Sequence, residues 1–248
     1  MKNNNKIKQE VRRAYSEIAS KNCGCSSCGC GDSSKKDISE QIGYSKKEIE
    51  EFSEANMGLG CGNPVAFSKI KEGETVLDLG SGAGFDAFIA AKRVGESGKV
   101  IGVDMTKKMI EKAEENAKRY GYKNVEFKLG DIENLPIKGK SIDVIISNCV
   151  INLAPDKDKV FSEAYRVLKK GGRIYVSDIV LLGKLTDEQM KDNALLVGCV
   201  AGALQKDDYL SKIRNAGFKV QILGEDKSLS KKQYNGIALE SLKVEGVK

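Results

Sequence analysis

The sequence predicts an α/β fold in which a doubly wound, mostly parallel sheet carries helices on both faces. Three observations lead to this prediction. Apolar, strand-like segments alternate with helix-like segments between residues 75 and 178. The first strand-like segment runs into a glycine-rich loop, which is followed by a helix-like segment. The chain has 248 residues, a normal length for one such domain with an addition at each end.

The strands of this alternation are runs of apolar, often β-branched residues. They are predicted at residues 75–80, 99–104, 125–130, 142–148 and 172–178. The helices between them are predicted at residues 85–94, 107–120 and 157–172. We expect the last helix to end with Lys169 and Lys170 in its final turn and glycines after it, because both residue types favour helix C-termini.

The segments before this alternation are predicted to be additions to the core. Residues 6–20 predict an amphipathic helix. Its apolar positions, at helical spacing, are Ile7, Val11, Tyr15 and Ile18. A cysteine-rich polar stretch follows, and residues 44–55 then predict a short helix with Ser45 as its cap and Glu48 three positions later. GLGCGNP, residues 58–64, is a turn region.

A second addition is predicted after Asp178. Thr186 is a candidate cap for a helix that runs towards Val197, and residues 207–218 predict another helix. FKVQIL and GIALESLKV are the predicted final strands. We therefore expect an N-terminal helical and cysteine-rich extension, a core, and a C-terminal α+β addition that completes the sheet. Their predicted bounds are 1–57, 58–180 and 181–248.

The composition is that of a globular protein without a membrane segment. Hydrophobic residues make up 40% of the chain and charged residues 31%. No apolar run is long enough to cross a membrane, and the N-terminal segment lacks the apolar core of a signal peptide. The net charge is +6, but the lysines are scattered and form no block beside aromatic residues. We therefore expect a cytoplasmic monomer that binds neither membranes nor nucleic acids.

The chain contains no histidine and seven cysteines. Without histidine, a Ser-His-Asp or Cys-His nucleophile is excluded, and so is any histidine metal ligand. Any reaction must therefore rely on carboxylates, thiolates, lysine or tyrosine, or need no base. In a reducing compartment we expect the cysteines to be free thiols, which suit metal binding or redox chemistry.

The loop after the first strand is the clearest sign of a ligand site. It reads DLGSGAGFD over residues 78–86, and its glycines allow backbone N–H groups to approach a ligand. A nicotinamide dinucleotide fingerprint would need a third glycine where Phe85 stands, which weakens that interpretation. Asp78 at the strand end suits a cationic ligand with an amino group better than it suits a pyrophosphate. An ordinary glycine turn is the structural alternative.

VLDLGSGAG, residues 76–84, resembles the first motif of the class I methyltransferases, Rossmann-like enzymes that use S-adenosylmethionine. The resemblance implies that Asp104 accepts hydrogen bonds from two ribose hydroxyls and that Asp131 and Ile132 hold the adenine. It also implies that SNCVINL, residues 147–153, lines the methyl-transfer site. The implied donor-binding residues are Asp78, Gly80, Ser81, Gly82, Gly84, Asp104, Met105, Asp131, Ile132, Glu133 and Asn148.

Three cysteines that are far apart in sequence are candidates to meet in the fold. Cys149 follows the fourth strand, at the carboxyl edge where ligands bind in such sheets. Cys199 lies in the added segment VGCVAGA, which could cover this edge, and Cys61 lies in GLGCGNP, where the chain enters the core. Three soft thiolates beside a methyl donor would match a soft, thiophilic substrate. The alternative for each cysteine is a small buried hydrophobic residue.

The sequence closely resembles the arsenite methyltransferases over roughly residues 42–220. The matching stretches, in family order, are GLGCGNP, VLDLGSGAGFD, GVDMT, ENLP, DVIISNCVINL, VSDIVL and VGCVAGA. The resemblance implies that Cys149 and Cys199 are the core arsenic ligands, and that Cys61 takes part in thiol exchange or disulfide formation. The C-terminal addition would then cover the arsenic site.

The activity that this resemblance implies is transfer of a methyl group from S-adenosylmethionine to thiolate-bound trivalent arsenic. Arsenite and small thiols would be the partners, and a thiol reductant would be a co-substrate. A thioredoxin-type protein is a further candidate reductant. Two other functions stay open: a small-molecule C- or O-methyltransferase with incidental cysteines, and a non-catalytic protein that binds metals or metalloids through thiols.

The stretch NCGCSSCGCG, residues 22–31, departs from the family pattern. Family members commonly carry a vicinal Cys-Cys pair near the N-terminus that delivers or co-binds arsenic, whereas glycine separates each pair here. Three interpretations stay open for these thiols: arsenic capture, a knot around Zn²⁺ or Cu⁺, or a disordered tail. The four cysteines concerned are Cys23, Cys25, Cys28 and Cys30.

Overall fold

The structure is a computed structural model that describes residues 4–21, 35–228 and 236–248. The four clustered cysteines lie outside the described residues, so their three interpretations stay open. Within the described parts of the chain, no helix is both long and apolar enough to cross a membrane.

Seven strands of the described chain form one sheet. In chain order they are β1 (Thr75–Leu79), β2 (Lys99–Asp104), β3 (Val125–Leu129), β4 (Ile142–Asn148), β5 (Leu168–Leu181), β6 (Lys219–Asp226) and β7 (Leu239–Val247). Their spatial order is β3-β2-β1-β4-β5-β7-β6. The first five strands pair in parallel, and β7 pairs antiparallel with both β5 and β6. The predicted doubly wound, mostly parallel sheet is therefore confirmed.

The strand order reverses between β1 and β4, which are neighbours at the centre of the sheet. β2 and β3 lie on one side of β1, whereas β4 and β5 lie on the other. The chain segments that leave the carboxyl ends of β1 and β4 therefore diverge and open a crevice. The glycine-rich loop follows β1 and Cys149 follows β4, so both lie at this crevice.

The helices of the core pack on both faces of the sheet. They are α5 (Phe85–Val94), α6 (Lys107–Tyr120) and α7 (Lys157–Val167). Neighbouring residues of a strand point to opposite faces, so the buried residues divide into two large apolar clusters. Val76 and Val144 belong to the cluster that includes α5 and α6, whereas Leu77 and Ile145 belong to the cluster that includes α7.

The predicted helix over residues 157–172 is too long. α7 ends at Val167, and the chain turns at Leu168 into β5. Leu168 is extended, fully buried and paired with β4. The prediction that Lys169 and Lys170 close this helix is therefore wrong, because the burial of Leu168 and its strand pairing outweigh the local C-terminal signals.

The C-terminal addition contains two short helices where one was predicted. Thr186 caps α8 (Asp187–Lys191) through a capping box with Gln189, as its sequence position predicts. The backbone of Asp192 is then extended, and its carboxylate accepts a hydrogen bond of 2.6 Å from the N–H of Ala194. Asp192 thus starts a separate helix, α9 (Asn193–Val197). The predicted later helix and strands are confirmed as α10 (Lys206–Asn215), β6 and β7.

Four helices of the described chain precede β1, three of them in the N-terminal extension and the fourth in the turn region that enters the core. They are α1 (Asn4–Lys21), α2 (Lys35–Gln41), α3 (Lys46–Glu51) and α4 (Pro64–Phe67). The predicted capping box of Ser45 and Glu48 is confirmed at the start of α3. α2 lies where the sequence predicted only a polar loop. α1 packs against α6, where Ala19 contacts the cluster around Met109, and Val11 is fully buried.

Candidate active site

A cavity of about 160 Å³ opens at the carboxyl ends of β1, β2 and β4. Most of the residues proposed from the sequence line it. These are Asp78, Gly80, Ser81, Gly82, Asp104, Met105, Asp131, Ile132, Asn148, Cys149 and Cys199. Three of the proposed residues do not line it, namely Gly84, Glu133 and Cys61, although each is the chain neighbour of a residue that does. The described residues therefore bring nine of the eleven donor-binding candidates and two of the three cysteines to one cavity, and their binding roles stay predictions.

The glycines of the first loop serve two different structural purposes. Gly80 has φ 66°, and a Cβ there would lie 2.4 Å from Val150 at the cavity wall. Gly84 has φ 95°, and a Cβ there would lie 2.7 Å from the ring of Phe88 and 2.8 Å from that of Phe127. Gly80 thus shapes the cavity, whereas Gly84 allows α5 to start close against the core.

Asp104 is fixed at the end of β2 by two backbone donors. Its Oδ2 accepts from the N–H of Gly82 at 3.0 Å, and its Oδ1 accepts from the N–H of Thr106 at 2.8 Å. Burial raises the pKa of Asp104, and these hydrogen bonds oppose that rise. A carboxylate has about four lone-pair positions, so both oxygens retain the capacity to accept hydrogen bonds from a ligand.

Three carboxyl groups surround the donor side of the cavity, namely those of Asp78 and Asp86, which are buried, and that of Asp104, which is partly exposed. Burial raises the pKa of Asp78 well above its ordinary value, and the charges of the other two add to this rise. The Oδ2 of Asp78 and the Oγ of Ser81 are buried and have no hydrogen-bond partner among the described residues. A cationic ligand with donor groups would satisfy these atoms, and S-adenosylmethionine carries both an ammonium and a sulfonium group. The residues present therefore fit this donor.

Asn148 joins the end of β4 to the loop that carries Cys61. Its Oδ1 accepts from the N–H of Cys61 at 3.1 Å, and its Nδ2 donates to the carbonyl of Gly62 at 2.8 Å. The same amide donates to the hydroxyl of Tyr44 at 2.9 Å and to Asp86 at 3.1 Å. Tyr44 in turn donates to Asp86 at 2.6 Å. Asn148 is thus placed to hold the Cys61 loop in position as well as to face the cavity.

Two of the three cysteines have an unusual backbone conformation. Cys149 has φ 55° and Cys199 has φ 65°, both in the left-handed region. Such a conformation costs about 1–3 kcal/mol in a residue with a side chain, and it is typical of functional sites. The N–H of Cys149 donates to the carbonyl of Ser177 at 2.8 Å, and the thiol of Cys199 donates to the carbonyl of Cys149 at 2.7 Å. These bonds hold both thiols at the cavity wall.

Cys61 lies behind Cys149 as seen from the cavity. The thiols of Cys61 and Cys149 and a carboxylate oxygen of Asp178 lie within 4.8 Å of one another. Contact with Cys199 and Cys61 raises the pKa of Cys149 well above its ordinary value, and burial raises that of Cys61. Burial also raises the pKa of Asp178 to about 7. The three thiols are therefore adjacent and free, and the raised pKa values of Cys61 and Cys149 favour their protonated forms.

The N-terminal helix α1 closes one side of the cavity, which sequence reasoning did not predict. The ammonium of Lys8 pairs with Asp131 at 2.6 Å and also with Glu133. The hydroxyl of Tyr15 donates to the carbonyl of Val197 at 3.1 Å, close to Cys199. The helical spacing of residues 6–20 predicts an apolar face on α1, but it carries no signal for the surface on which that face packs.

Asp178 was also missed as a residue of the site. It occurs in the strand segment YVSDIVL and is fully buried. A charged residue inside an otherwise apolar strand is a sequence signal, because a buried charge is costly unless it has partners or a role.

The sheet order, the glycine-rich loop and the acidic cavity at the switch point define a class I methyltransferase fold. A family model described as a methyltransferase domain matches residues 70–217. The arsenite methyltransferase of Halobacterium salinarum is 46% identical over 235 residues, which cover 89% of this chain and 60% of that protein. The human arsenite methyltransferase is 36% identical over 224 residues, which cover 86% of this chain and 58% of that protein.

Solved structures give the same assignment. CrArsM, an arsenic(III) S-adenosylmethionine methyltransferase from Chlamydomonas reinhardtii, is 35% identical with a TM-score of 0.67, and the match covers 85% of this chain and 73% of that one. The chain belongs to the arsenic(III) S-adenosylmethionine methyltransferase family, as its motifs predicted. It spans about 60% of the length of the curated relatives it matches. The YcgJ protein of Bacillus subtilis, 21% identical with a TM-score of 0.62, shares the fold.

Proposed function

We propose that this protein transfers the methyl group of S-adenosylmethionine to trivalent arsenic held by cysteine thiolates, and so converts arsenite into methylarsenicals. One observation carries the proposal. Cys149 and Cys199 line the same cavity as the acidic donor-binding residues, and Cys61 lies in contact behind Cys149. An oxygen or carbon acceptor would explain neither the three adjacent thiols nor the two strained cysteine backbones.

The donor would be held by residues at the ends of β1, β2 and β3. Asp104 would accept the ribose hydroxyls, Asp131 and Ile132 would contact the adenine, and Asp78 would face the ammonium group. When bound, S-adenosylmethionine supplies an electrophilic methyl group on a positively charged sulfur. The buried carboxylates of the chain would attract this cation and exclude bulk water from it.

Arsenic would be held by the thiols without any need for a histidine base. Trivalent arsenic is soft, and thiolates are the softest ligands that the chain offers. Each hydroxide of arsenous acid leaves as water with the proton of one thiol, so neutral thiols suit this exchange. The bound arsenic keeps its lone pair, which attacks the methyl group. Proximity and alignment in the closed cavity then supply most of the catalysis.

A reductant follows from the electron balance of this reaction. Methylation takes arsenic from the trivalent to the pentavalent state. Arsenic becomes trivalent again if two of its thiolates leave as a disulfide, which supplies two electrons. A small thiol or a thioredoxin-type protein would then reduce that disulfide. The need for reduced cysteines fits a cytoplasmic enzyme, and we propose that it acts as a monomer because each chain holds a whole site.

The test is an assay of purified protein with arsenite, S-adenosylmethionine and excess thiol, in which mass spectrometry identifies the products. We expect methylarsenicals and arsenite-dependent consumption of the donor. Cys149→Ser and Cys199→Ser should each abolish both, because a hard hydroxyl replaces a soft thiolate, while the Cys199→Ser protein should still bind the donor. A wild-type protein that binds donor and arsenite but forms no methylarsenical would contradict the proposal.

A further inference from the structure

A buried carboxylate lies close to two of the three thiols and does not line the donor cavity. Asp178, in β5, is fully buried. One of its oxygens and the sulfurs of Cys61 and Cys149 lie within 4.8 Å of one another. Neither Asp178 nor Cys61 lines the cavity, whereas Cys149 does. Of these three groups, only Cys149 faces the donor cavity, and the carboxylate of Asp178 lies deeper in the protein.

The carboxylate of Asp178 is held in place by three hydrogen-bond donors. Its Oδ1 accepts from the amide of Asn152 at 3.0 Å and from the N–H of Ile179 at 3.1 Å. Its Oδ2 accepts from the hydroxyl of Tyr209 at 2.9 Å. The charge of Lys157 also acts on Asp178, but its ammonium donates to the carbonyl of Ala154 at 3.0 Å and forms no hydrogen bond with the carboxylate. The negative charge of Asp178 is therefore oriented mainly by dipoles and can also act on a cation at the thiols.

Methyl transfer moves one positive charge across the site. Before transfer the charge is on the donor sulfur, on the side of the cavity where Asp78, Asp86 and Asp104 would stabilise it. The lone pair of the neutral arsenic trithiolate forms the new As–C bond, and the electrons of the broken C–S bond stay on the donor sulfur. The arsenic then carries the positive charge. If no negative group lay near the thiols, the positive charge on arsenic would be farther from Asp78, Asp86 and Asp104 and would have no new partner.

We propose that Asp178 is the counter-charge that stabilises the positive charge arsenic acquires during methyl transfer. This inference rests on the proposed function. The carboxylate of Asp178 lies within 4.8 Å of the sulfurs of Cys61 and Cys149, so it acts on the arsenic that they hold as a positioning and electrostatic residue. A unit charge a few ångströms from a developing cation, at an effective dielectric constant of about 20, changes a rate by roughly a hundredfold.

Asp178→Asn tests this inference, because it removes the charge and keeps the shape. Asparagine retains an oxygen for Asn152 and Ile179, and its amide can donate to the oxygen of Tyr209. Tyr209→Phe is the matched control, because it removes one hydrogen bond at the same carboxylate and keeps the charge. Arsenite affinity and donor affinity are measured separately by equilibrium binding. The transfer step is then measured in a single turnover at about pH 8.5, where the carboxylate is ionised.

We expect Asp178→Asn to bind arsenite and donor within about twofold of wild type, since the trithiolate is neutral, and to transfer the methyl group about a hundredfold more slowly. Tyr209→Phe should transfer within about fivefold of wild type. Transfer at the wild-type rate by Asp178→Asn would overturn the inference and leave the proposed function intact. A loss of arsenite affinity equal to the loss of rate would also overturn it. If the wild-type protein transferred no methyl group to arsenic, the proposed function itself would be contradicted.

A second readout needs neither donor nor arsenic. A carboxylate beside a thiol disfavours the thiolate, so Asp178→Asn should lower the pH at which the alkylation of Cys61 by iodoacetamide reaches half of its high-pH rate. This midpoint is read because Cys61 is buried and its absolute rate also depends on access of the reagent. The reaction is followed on the Cys61 peptide by mass spectrometry, and Tyr209→Phe should show little change. An unchanged midpoint in Asp178→Asn would mean that no charge acts on this thiol, which would overturn the inference. Asp178→Ser, which also lacks the charge, repeats both tests if the asparagine variant does not fold.

Discussion

Cys149 and Cys199 combine chemistry with backbone strain, because each has a positive φ that glycine or asparagine would normally supply. No sequence pattern predicts this, since the strain is imposed by the contacts of the folded chain. The thiol of Cys199 donates to the carbonyl of Cys149, so the two conformations support each other. A requirement for a thiol at these two positions explains why a strained cysteine is kept there, whereas a requirement for stability would favour glycine.

The strain gives a prediction about stability. Cys199→Gly should be more stable than Cys199→Ala by about 1 kcal/mol, because glycine adopts φ 65° freely whereas alanine does not. At most positions the alanine variant is the more stable of the two, because glycine loses more conformational entropy on folding. The free energy of unfolding from urea titrations of both variants checks it, and neither variant should bind arsenite at the wild-type affinity. An alanine variant that is the more stable of the two would contradict the strain.

Cys61 differs from the other two cysteines in its depth, and its role is predicted to depend on the substrate. Trivalent arsenic holds three thiolates in arsenite, but only two after one methyl group is added. Cys61→Ser should therefore block methylation of arsenite and permit methylation of monomethylarsonous acid, with Cys149 and Cys199 as sufficient ligands. Product analysis with both substrates at matched concentrations and excess thiol checks this. Equal losses on the two substrates would indicate a structural role for Cys61.

At the scale of elements, the sequence predicted the core closely and its additions less well. α5, α6, β2 and β4 have the predicted bounds, because their apolar periodicity and their glycine or capping signals agree. The C-terminal end of α7 was wrong because the burial of Leu168 is a tertiary effect. Asp78, Asp104 and Cys149 could be proposed for the site because each lies at or directly after a strand end.

Residues on distant elements could not be proposed in the same way. Lys8 and Tyr15 reach the cavity only because α1 docks beside it, and docking of one helix is not visible in that helix's own sequence. Tyr44 and Asp178 likewise reach the site through packing. An alternation pattern shows which face of an element is buried, but it does not show the partner of that face.

The docking of α1 gives a prediction about Tyr15. Tyr15→Phe removes the hydrogen bond to the carbonyl of Val197, two positions before Cys199, and should loosen the turn that presents this thiol. We expect arsenite affinity to fall about fivefold, equivalent to about 1 kcal/mol for one hydrogen bond, and donor affinity to stay within about twofold. Tyr120→Phe is the control for loss of a tyrosine hydroxyl, because Tyr120 ends α6, does not line the cavity and accepts a hydrogen bond from the N–H of Glu54. Unchanged arsenite affinity in Tyr15→Phe would show that α1 does not support the thiol site.

At the scale of the whole molecule, a core that holds buried acids carries a cost in stability that depends on pH. Burial raises the pKa of Asp86 to about 6 and that of Asp178 to about 7, whereas the ordinary value is 3.8. The folded protein therefore binds more protons than the unfolded chain between these values. The associated stability is fully present below about pH 3.8 and is lost as the pH rises through about 6 and 7.

Asp86 and Asp178 alone should lower the stability of the ligand-free protein between about pH 5 and pH 8 by on the order of 4 kcal/mol, and the raised pKa values of Asp78 and Asp104 act in the same direction. Asp86→Asn should reduce this loss by on the order of 1 kcal/mol or more, because it removes one of these carboxyl groups and also a charge that raises the pKa of Asp78. Urea denaturation of both proteins across this pH range checks the slope. Stability that rises with pH, or an identical slope in the variant, would contradict the assignment of Asp86 and Asp178 as protonated buried acids.

The whole account depends on one event, which is direct transfer of a methyl group from the donor to arsenic bound in the same chain. A single turnover measures it: protein loaded with one equivalent of arsenite is mixed with S-adenosylmethionine whose methyl group carries deuterium. We predict one methylarsenical per chain with all three deuterons retained, and none from Cys199→Ser, which should still bind the donor. Unlabelled methylarsenical, or labelled product at the wild-type yield from Cys199→Ser, would contradict the account.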